Sequence, residues 1–170
     1  MIHVMIHCII DNYYDKKSSK YYIITGNKGY IKSNENKLFY KYSDNDNYSH
    51  MSFLIYDKEE IIKLIDSSRD GNIRIWNFHS GILLKKIKVL HDWLYDICLW
   101  NNEYLFLGCN DNSIKLLNLK NEMIVKELKG HNKEVISIKK LIHPKYGKCL
   151  ISQGPLQNSI IIWQIKEKQK

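Results

Sequence analysis

The sequence lacks most of what would settle its class at a glance. Arginine occurs only at Arg69 and Arg74, so a lysine-rich chain of net charge +8 has none of the arginine clusters that phosphate recognition favours. Its lysines spread along the whole length as polar filler, and nucleic acid is not the expected partner. The four cysteines, Cys8, Cys98, Cys109 and Cys149, show no CxxC or other paired spacing. They suit buried, reduced thiols in a reducing compartment, and the seven histidines do not cluster with them at zinc-ligand spacing. The most apolar stretch, MIHVMIHCII, has no positive lead-in or small-residue cleavage site and is too short to span a bilayer. No longer apolar run follows it, so the expected location is the cytoplasm or nucleus, with no membrane partner. Phosphate-cradling glycine loops, HExxH and paired carboxylates are missing too, which leaves no cofactor, metal or catalytic site to expect.

What remains is ordinary foldable material. A chain of 170 residues with 44% hydrophobic and 26% charged residues is not disordered, and at this size about 70% of the unfolded surface can be buried.

The informative feature is repetition. SSRDGNIRIWNF at 67–78 matches GCNDNSIKLLNL at 108–119, placing Asp70 on Asp111 and Trp76 on Leu117, 41 residues apart. A third copy, QGPLQNSIIIWQI at 153–165, places Trp163 on Leu117 after 46 residues. The excess is an insertion around His143–Gly147 and one extra turn residue near Pro155. A second marker keeps step: His50, His91 and His131 recur 41 and 40 residues apart, each before an apolar-rich strand.

Each unit divides into short Ile-, Val-, Tyr- and Leu-rich strands, a to d in chain order, joined by Asx, Gly and Ser turns at hairpin spacing. Strands are predicted at 51–56, 61–68, 72–78 and 82–89, then at 94–100, 103–109, 113–119 and 123–129, then at 134–141, 148–153 and 159–165. Residues 1–49 fit a weaker first unit: strand a over MIHVMIHCII, an expanded loop over DNYYDKKSSK, a hairpin at 20–33 and strand d at 36–43.

Units of about 40–45 residues with a Gly-His opening and a Trp-Asp close resemble the blades of WD-repeat β-propellers. Gly130-His131 supplies the opening once, while Trp76-Asn77, Leu117-Asn118 and Trp163-Gln164 replace Trp-Asp. The resemblance implies an all-β fold, a partial β-propeller of three to four four-stranded antiparallel blades whose last blade lacks its outer strand. The expected divisions are 1–49, a degenerate first blade; 50–89, 90–129 and 130–166, three WD-like blades, the last without strand d; and a polar tail at 167–170. A fragment of a longer propeller, completion by self-association or by a blade-supplying partner, and a strained four-bladed ring are three ways to satisfy such an arc.

The same resemblance implies a hydrogen-bonded chain in each blade, running from the strand-c indole through a strand-b serine and the opening histidine to the turn aspartate. Its candidates are His50, Ser67 or Ser68, Asp70 and Trp76; His91 and Asp111; and His131, Ser152 and Trp163. Asp66 stands where the strand-b serine is usual, Leu117 replaces one indole, and Gln157 replaces one aspartate. Ser, His and Asp recurring once per unit, partly eroded, are architecture and not a hydrolase triad.

The implied function is a non-catalytic scaffold binding peptides or domains of other proteins on its loop face. Candidate contact residues there are Arg69, Trp93, Asn110, Lys133 and Glu134. Trp93 is either an exposed anchor or packing between blades. The alternative is a basic surface for nucleic acid or acidic partners, built from the strand-d lysines Lys85, Lys86, Lys88, Lys126 and Lys129.

Overall fold

Turn chemistry sets the strand order. In the computed structural model, which describes residues 10–16, 19–25, 30–33, 38–41, 50–56, 61–155 and 159–165, no helix occurs among the described residues. Up to and including His50, side chains are described only at 14–16, 19 and 22. The first sheet comprises β1 (Ile10–Asp15), β2 (Lys20–Thr25), β3 (Tyr30–Ser33) and β4 (Leu38–Lys41). The second comprises β5 (His50–Tyr56), β6 (Lys63–Ser68), β7 (Asn72–Asn77) and β8 (Leu83–Lys88). The third comprises β9 (Leu94–Leu99), β10 (Tyr104–Cys109), β11 (Ser113–Asn118) and β12 (Ile124–Lys129). The fourth has three strands, β13 (Ser137–His143), β14 (Gly147–Gln153) and β15 (Ile160–Gln164). All four are antiparallel meanders with sequence neighbours paired.

Two segments differ from expectation. DNYYD, read as part of an expanded loop, forms most of β1, in register from Ile10↔Thr25 to Asp15↔Lys20. The tyrosine pair carries strand propensity that the flanking Asp and Asn mask in the sequence. Of the expected strand a, only Ile10 is described. The strands expected to end at 141 and resume at 148 run further: β13 and β14 stay paired through Ile142↔Lys148 and His143↔Gly147, so the inserted residues lengthen a hairpin that turns at 144–146.

The repeat is visible in the backbone. Gly71 has φ 74° and Asn112, at the same place in the next unit, has φ 67°. Glycine takes this left-handed conformation freely and asparagine is among the few other residues that tolerate it, so Asp-Gly and Asp-Asn close the same turn. The other hairpin end follows a shared rule. Asn77 Oδ1 accepts from the amides of His79 and Ser80 at 3.0 and 2.9 Å, and Asn118 Oδ1 from those of Lys120 and Asn121 at 2.8 and 3.3 Å. An asparagine carbonyl thus fills the acceptor role of an aspartate after the indole position.

The chain divides into two compact units, residues Met1–His91 and Asp92–Lys170. In the first, Tyr22, Phe53, Ile62, Leu64, Trp76 and Phe78 form a buried cluster, with Tyr22 edge-on to Phe78 at 5.1 Å. In the second, Cys98, Trp100, Phe106, Ile114, Leu116, Val135, Ile138 and Leu150 do so, with Trp100 edge-on to Phe106 at 5.4 Å. Each large apolar side chain so removed from water contributes about 2 kcal/mol. Gly108 lets the third and fourth sheets approach: a Cβ there would lie 2.5 Å from the Val135 carbonyl oxygen. Beside it the Val135 amide donates to the Cys109 carbonyl at 3.0 Å. Asp96 completes the seam by accepting from the Ile138 amide at 2.8 Å and the Ser137 hydroxyl at 3.3 Å.

Candidate functional site

The polar residues singled out in the sequence fall into two places, the b–c hairpins and the adjoining loops. Register fixes which residues correspond. Leu64 opposes Trp76, Leu105 opposes Leu117 and Leu150 opposes Trp163, so Asp66, Leu107 and Ser152 share one position. Arg74, Lys115 and Ile161 share the position opposite.

In the second sheet the Trp76 indole donates to Asp66 Oδ2, not to a serine. Ser68 belongs to another group: its hydroxyl donates to Asp70 Oδ1 and accepts from Arg74 Nη1 at 2.6 Å. Arg74 Nη2 meets Asp70 Oδ2 at 2.6 Å, with side chains only 1% and 5% exposed. Asn72 donates to the same carboxylate through its amide, at 3.1 Å, and through its side chain. Burial alone would raise the Asp70 pKa, but the bonds from Arg74, Ser68 and Asn72 win and hold it far below the ordinary carboxylate value. The side chain of His50 lies outside those described, though its backbone pairs with Ser68.

The third sheet repeats this with weaker parts. Asp111 accepts from the Ser113 amide and hydroxyl at 3.2 and 2.5 Å and from Lys115 Nζ at 2.7 Å. Lys115 also reaches Glu127 Oε1 on β12 at 3.0 Å. Burial would raise Asp111 and lower Lys115, yet their mutual hydrogen bonding reverses both, leaving Asp111 lowered and Lys115 raised. Leu107 and Leu117 take the places of Asp66 and Trp76, both fully buried, and His91 is exposed.

The fourth sheet brings together three of the expected residues. Trp163 Nε1 donates to Ser152 Oγ at 2.7 Å, and Ser152 Oγ lies 2.6 Å from His131 Nε2. With the indole donating to it, the hydroxyl has its own proton to give, and a neutral His131 with a bare Nε2 can accept it. Burial pushes the His131 pKa below its ordinary value, in keeping with a neutral ring. Gln157 lies outside the described residues.

Sequence reasoning passed over Arg74 and Lys115. The available signal was that both stand two residues before the indole position, four after an aspartate, and that Ile161 stands there in the copy where Gln157 replaces the aspartate. Asp96 gave no signal of its own.

On the loops, Arg69 and Lys133 are exposed and Glu134 is half-buried. Trp93 and Asn110 come together. The Asn110 amide donates to the Trp93 carbonyl at 3.0 Å, and Trp93 is 38% exposed with its ring edge-on to Tyr95 at 5.8 Å. The Tyr95 hydroxyl donates to Asn110 Oδ1 at 3.0 Å, and Asn110 Nδ2 donates to Asp92 Oδ2 at 2.6 Å. Of the basic strand-d residues, Lys88 donates to the Asp70 carbonyl at 2.7 Å, and Lys129 is 3.8 Å from Glu127. Cys98, Cys109 and Cys149 are buried free thiols, and burial pushes Cys109 up to about 12, far from nucleophilic use. Cys8 lies outside the described residues. No group of three His, Cys, Asp or Glu side chains suited to a metal occurs among the described residues.

No family model matches the chain. A 74-residue stretch is 27% identical to the U3 small nucleolar RNA-associated protein 21 homolog of Schizosaccharomyces pombe, covering 44% of this chain and 8% of that protein. The WD40 β-propeller domain of Doa1 superposes with a TM-score of 0.68 at 22% identity, over 84% of this chain and 46% of that one. U3-55K superposes at 0.71 with 17% identity, over 94% and 50%. A chain of an active polycomb repressive complex 2 in the basal state does so at 0.73 with 16% identity, over 93% and 37%. The chain thus spans half or less of each of these four proteins. Four antiparallel meanders, a repeated aspartate turn and these superpositions agree: in fold, this is a run of β-propeller blades similar to those of WD40 domains.

Proposed function

We propose that the protein is a non-catalytic interaction scaffold that binds a peptide or domain of another protein on the loop face around Trp93. One observation carries this. Trp93 is 38% exposed yet fixed, its carbonyl tied to Asn110 and its ring set against Tyr95. An aromatic side chain held in place before binding loses little conformational entropy on contact, which is how anchors at protein interfaces gain their affinity. The Ser, His and Asp side chains that resemble a hydrolase are spread over separate hairpins and spent on holding them together, which favours scaffold over enzyme. The name of the fission-yeast relative supports the nuclear rather than the cytoplasmic location.

The rival, a basic surface for nucleic acid or acidic partners, draws on Lys85, Lys86, Lys88, Lys126 and Lys129. Lys88 and Lys129 already have partners within the second and third sheets, which favours the scaffold. Selection from a displayed random-peptide library distinguishes the two. Enrichment by the intact chain, lost with Trp93→Ala and kept with Lys85→Ala/Lys86→Ala/Lys88→Ala, is the expected result. The reverse pattern, with binding that weakens steeply with added salt, favours the basic surface. Enrichment by neither route ends the scaffold proposal.

A further inference from the structure

We infer that the face of the fourth sheet turned away from the third is a second docking surface. It takes an acidic segment of another protein through an aliphatic side chain and a neighbouring carboxylate, and it does not depend on the Trp93 loop. The third sheet shows how such a face is covered within this chain. Register sets two rows of side chains across it: Asp96, Gly108 and Ile114, then Cys98, Phe106 and Leu116. Val135, Ile138 and Leu150 pack over them, leaving Ile114 and Phe106 0% and Leu116 9% exposed. The matching rows of the fourth sheet are Ser137, Gln153 and Ile160, then Lys139, Ile151 and Ile162. Ile138 and Leu150 are their neighbours along the strands and face the third sheet, so these rows point the other way. Here Ile160 is 60% and Ile162 51% exposed.

Ile151, Ile160 and Ile162 keep apolar the positions of Phe106, Ile114 and Leu116, so the face still calls for an apolar contact. Two exchanges decide what can make it. Gln153 stands where Gly108 lets the Val135 carbonyl oxygen come within 2.5 Å of a Cβ position, so a strand cannot seat here as the fourth sheet seats on the third. Lys139 stands where Cys98 is buried, and it brings a charge. Its ammonium lies 3.7 Å from Asp96 Oδ2, and its side chain is 71% exposed, so that pair holds it weakly. Asp96 is itself committed to the Ile138 amide and the Ser137 hydroxyl. From Val135 to Ile165 the sequence has four lysines and no Asp or Glu, so the complement is negative. Charge and apolar surface meet in one cavity of about 180 Å³, where Lys139, Ile151, Gln153 and Ile160 are lining residues. Small-molecule sites run to roughly 300–1,000 Å³, so this one suits a single side chain. The aliphatic lining, with no arginine to fork onto phosphate, favours a carboxylate-bearing protein segment over a nucleic acid.

The test is an NMR titration of the full chain, labelled at its isoleucine methyls and with nitrogen-15. The probes are three blocked hexapeptides: Ala-Leu-Glu-Glu-Leu-Ala, Ala-Leu-Gln-Gln-Leu-Ala and Ala-Ala-Glu-Glu-Ala-Ala. Loss in Ile160→Val and in Ile162→Val identifies the two methyl signals. The acidic leucine peptide should shift both saturably. The glutamine peptide should bind about threefold more weakly, the worth of one exposed ion pair, and the alanine peptide about tenfold more weakly. Lys139→Gln should bring the acidic peptide down to the level of the glutamine peptide. The Trp100 and Trp163 indole signals should stay in place in that variant, showing that the fold is intact. Equal binding of the acidic and glutamine peptides, or indifference to Lys139→Gln, would overturn the inference. So would a stronger response to oligouridylate, which would make the face a nucleic-acid surface. Shifts that follow protein concentration with no peptide present would seat a second copy there and overturn it as well. Trp93→Ala should leave the peptide shifts unchanged, so this surface and the Trp93 loop can fail separately.

Discussion

The β6–β7 and β10–β11 hairpins are the same turn built twice with different materials. In both, an aspartate collects the amide and side chain two residues on and a cation four residues on. In β6–β7 the cation is Arg74, 1% exposed, which bonds Asp70 through both Nη atoms and Ser68 through Nη1. In β10–β11 it is Lys115, 11% exposed, beside an Asp111 that is 40% exposed. Cys109 stands where Ser68 stands, so the hydroxyl relay is gone. One geometry therefore serves as a buried ionic lock in one sheet and as a solvated clasp in the other, and the two should differ sharply in energy.

Removing the cation from each tests this. Arg74→Ala leaves Asp70 buried without its counter-charge and should cost about 3–5 kcal/mol, the usual penalty for breaking a buried pair. Lys115→Ala leaves a carboxylate that water can reach and should cost about 1 kcal/mol or less. Urea unfolding followed by tryptophan fluorescence measures both, and equal losses would mean that the two hairpins are energetically alike. The lock also has a pH signature. Because the Asp70 pKa is lowered by folding, its contribution is present above the ordinary carboxylate range and is lost as acid protonates the folded carboxyl. Below pH 4 the intact chain should lose more stability than Arg74→Ala does.

The second difference lies one step deeper along the same strands. Trp76 donates to Asp66 and Trp163 to Ser152, while the corresponding positions of the third sheet hold Leu117 and Leu107. Polar partners occur with the indole and apolar ones without it, as a buried N–H requires. Leu117→Trp alone should therefore cost about 2 kcal/mol, from overpacking and an indole N–H facing Leu107. Leu107→Ser together with Leu117→Trp should recover part of that loss, a coupling read from a double-mutant cycle. Additive losses would show that the exchange of side chains between copies is not energetically linked.

How much of this was legible in the sequence depended on the range of the interaction. Strand and turn positions from 50 to 165 could be placed because each rests on local pattern, alternation between Asx and Gly turns, and was stated three times over. The first sheet was harder, since DNYYD carries opposing local signals that only pairing with KYYIIT resolves. In the β14–β15 hairpin the expected partners meet, whereas in β6–β7 the family pattern located the polar positions but not who bonds whom. Asp66 takes the Trp76 proton and Ser68 serves Arg74, because an aspartate in the relay position and an arginine opposite rearrange who can donate to whom. Asp96 was invisible because its partners, the Ile138 amide and the Ser137 hydroxyl, stand more than 40 residues away. Trp93 was legible only as a question, whether anchor or packing; in the structure it is 38% exposed with its ring against Tyr95.

The fourth sheet offers the smallest effect and the finest distinction. Its relay has no described carboxylate, so whatever pH dependence it has comes through His131. Burial lowers the His131 pKa from the ordinary 6.5, so between that value and the folded one the unfolded chain binds more protons than the folded chain. Stability then falls as pH is lowered through this window, a slope opposite to that of a histidine paired with a carboxylate. His131→Gln keeps a side chain able to bond Ser152 but cannot be protonated. It should leave stability at pH 7.5 nearly unchanged and flatten the decline between pH 7 and 5.5, a difference of a fraction of a kcal/mol read from paired unfolding curves. A steeper decline in the variant would mean that the protonated ring is welcome in the relay. Ser152 would then accept from both Trp163 and His131 while turning its own proton toward the Ile161 carbonyl, 3.5 Å away. That distance is at the edge of useful hydrogen bonding, whereas the bond from Ser152 to a neutral His131 is 2.6 Å long, so the neutral ring is the better fit.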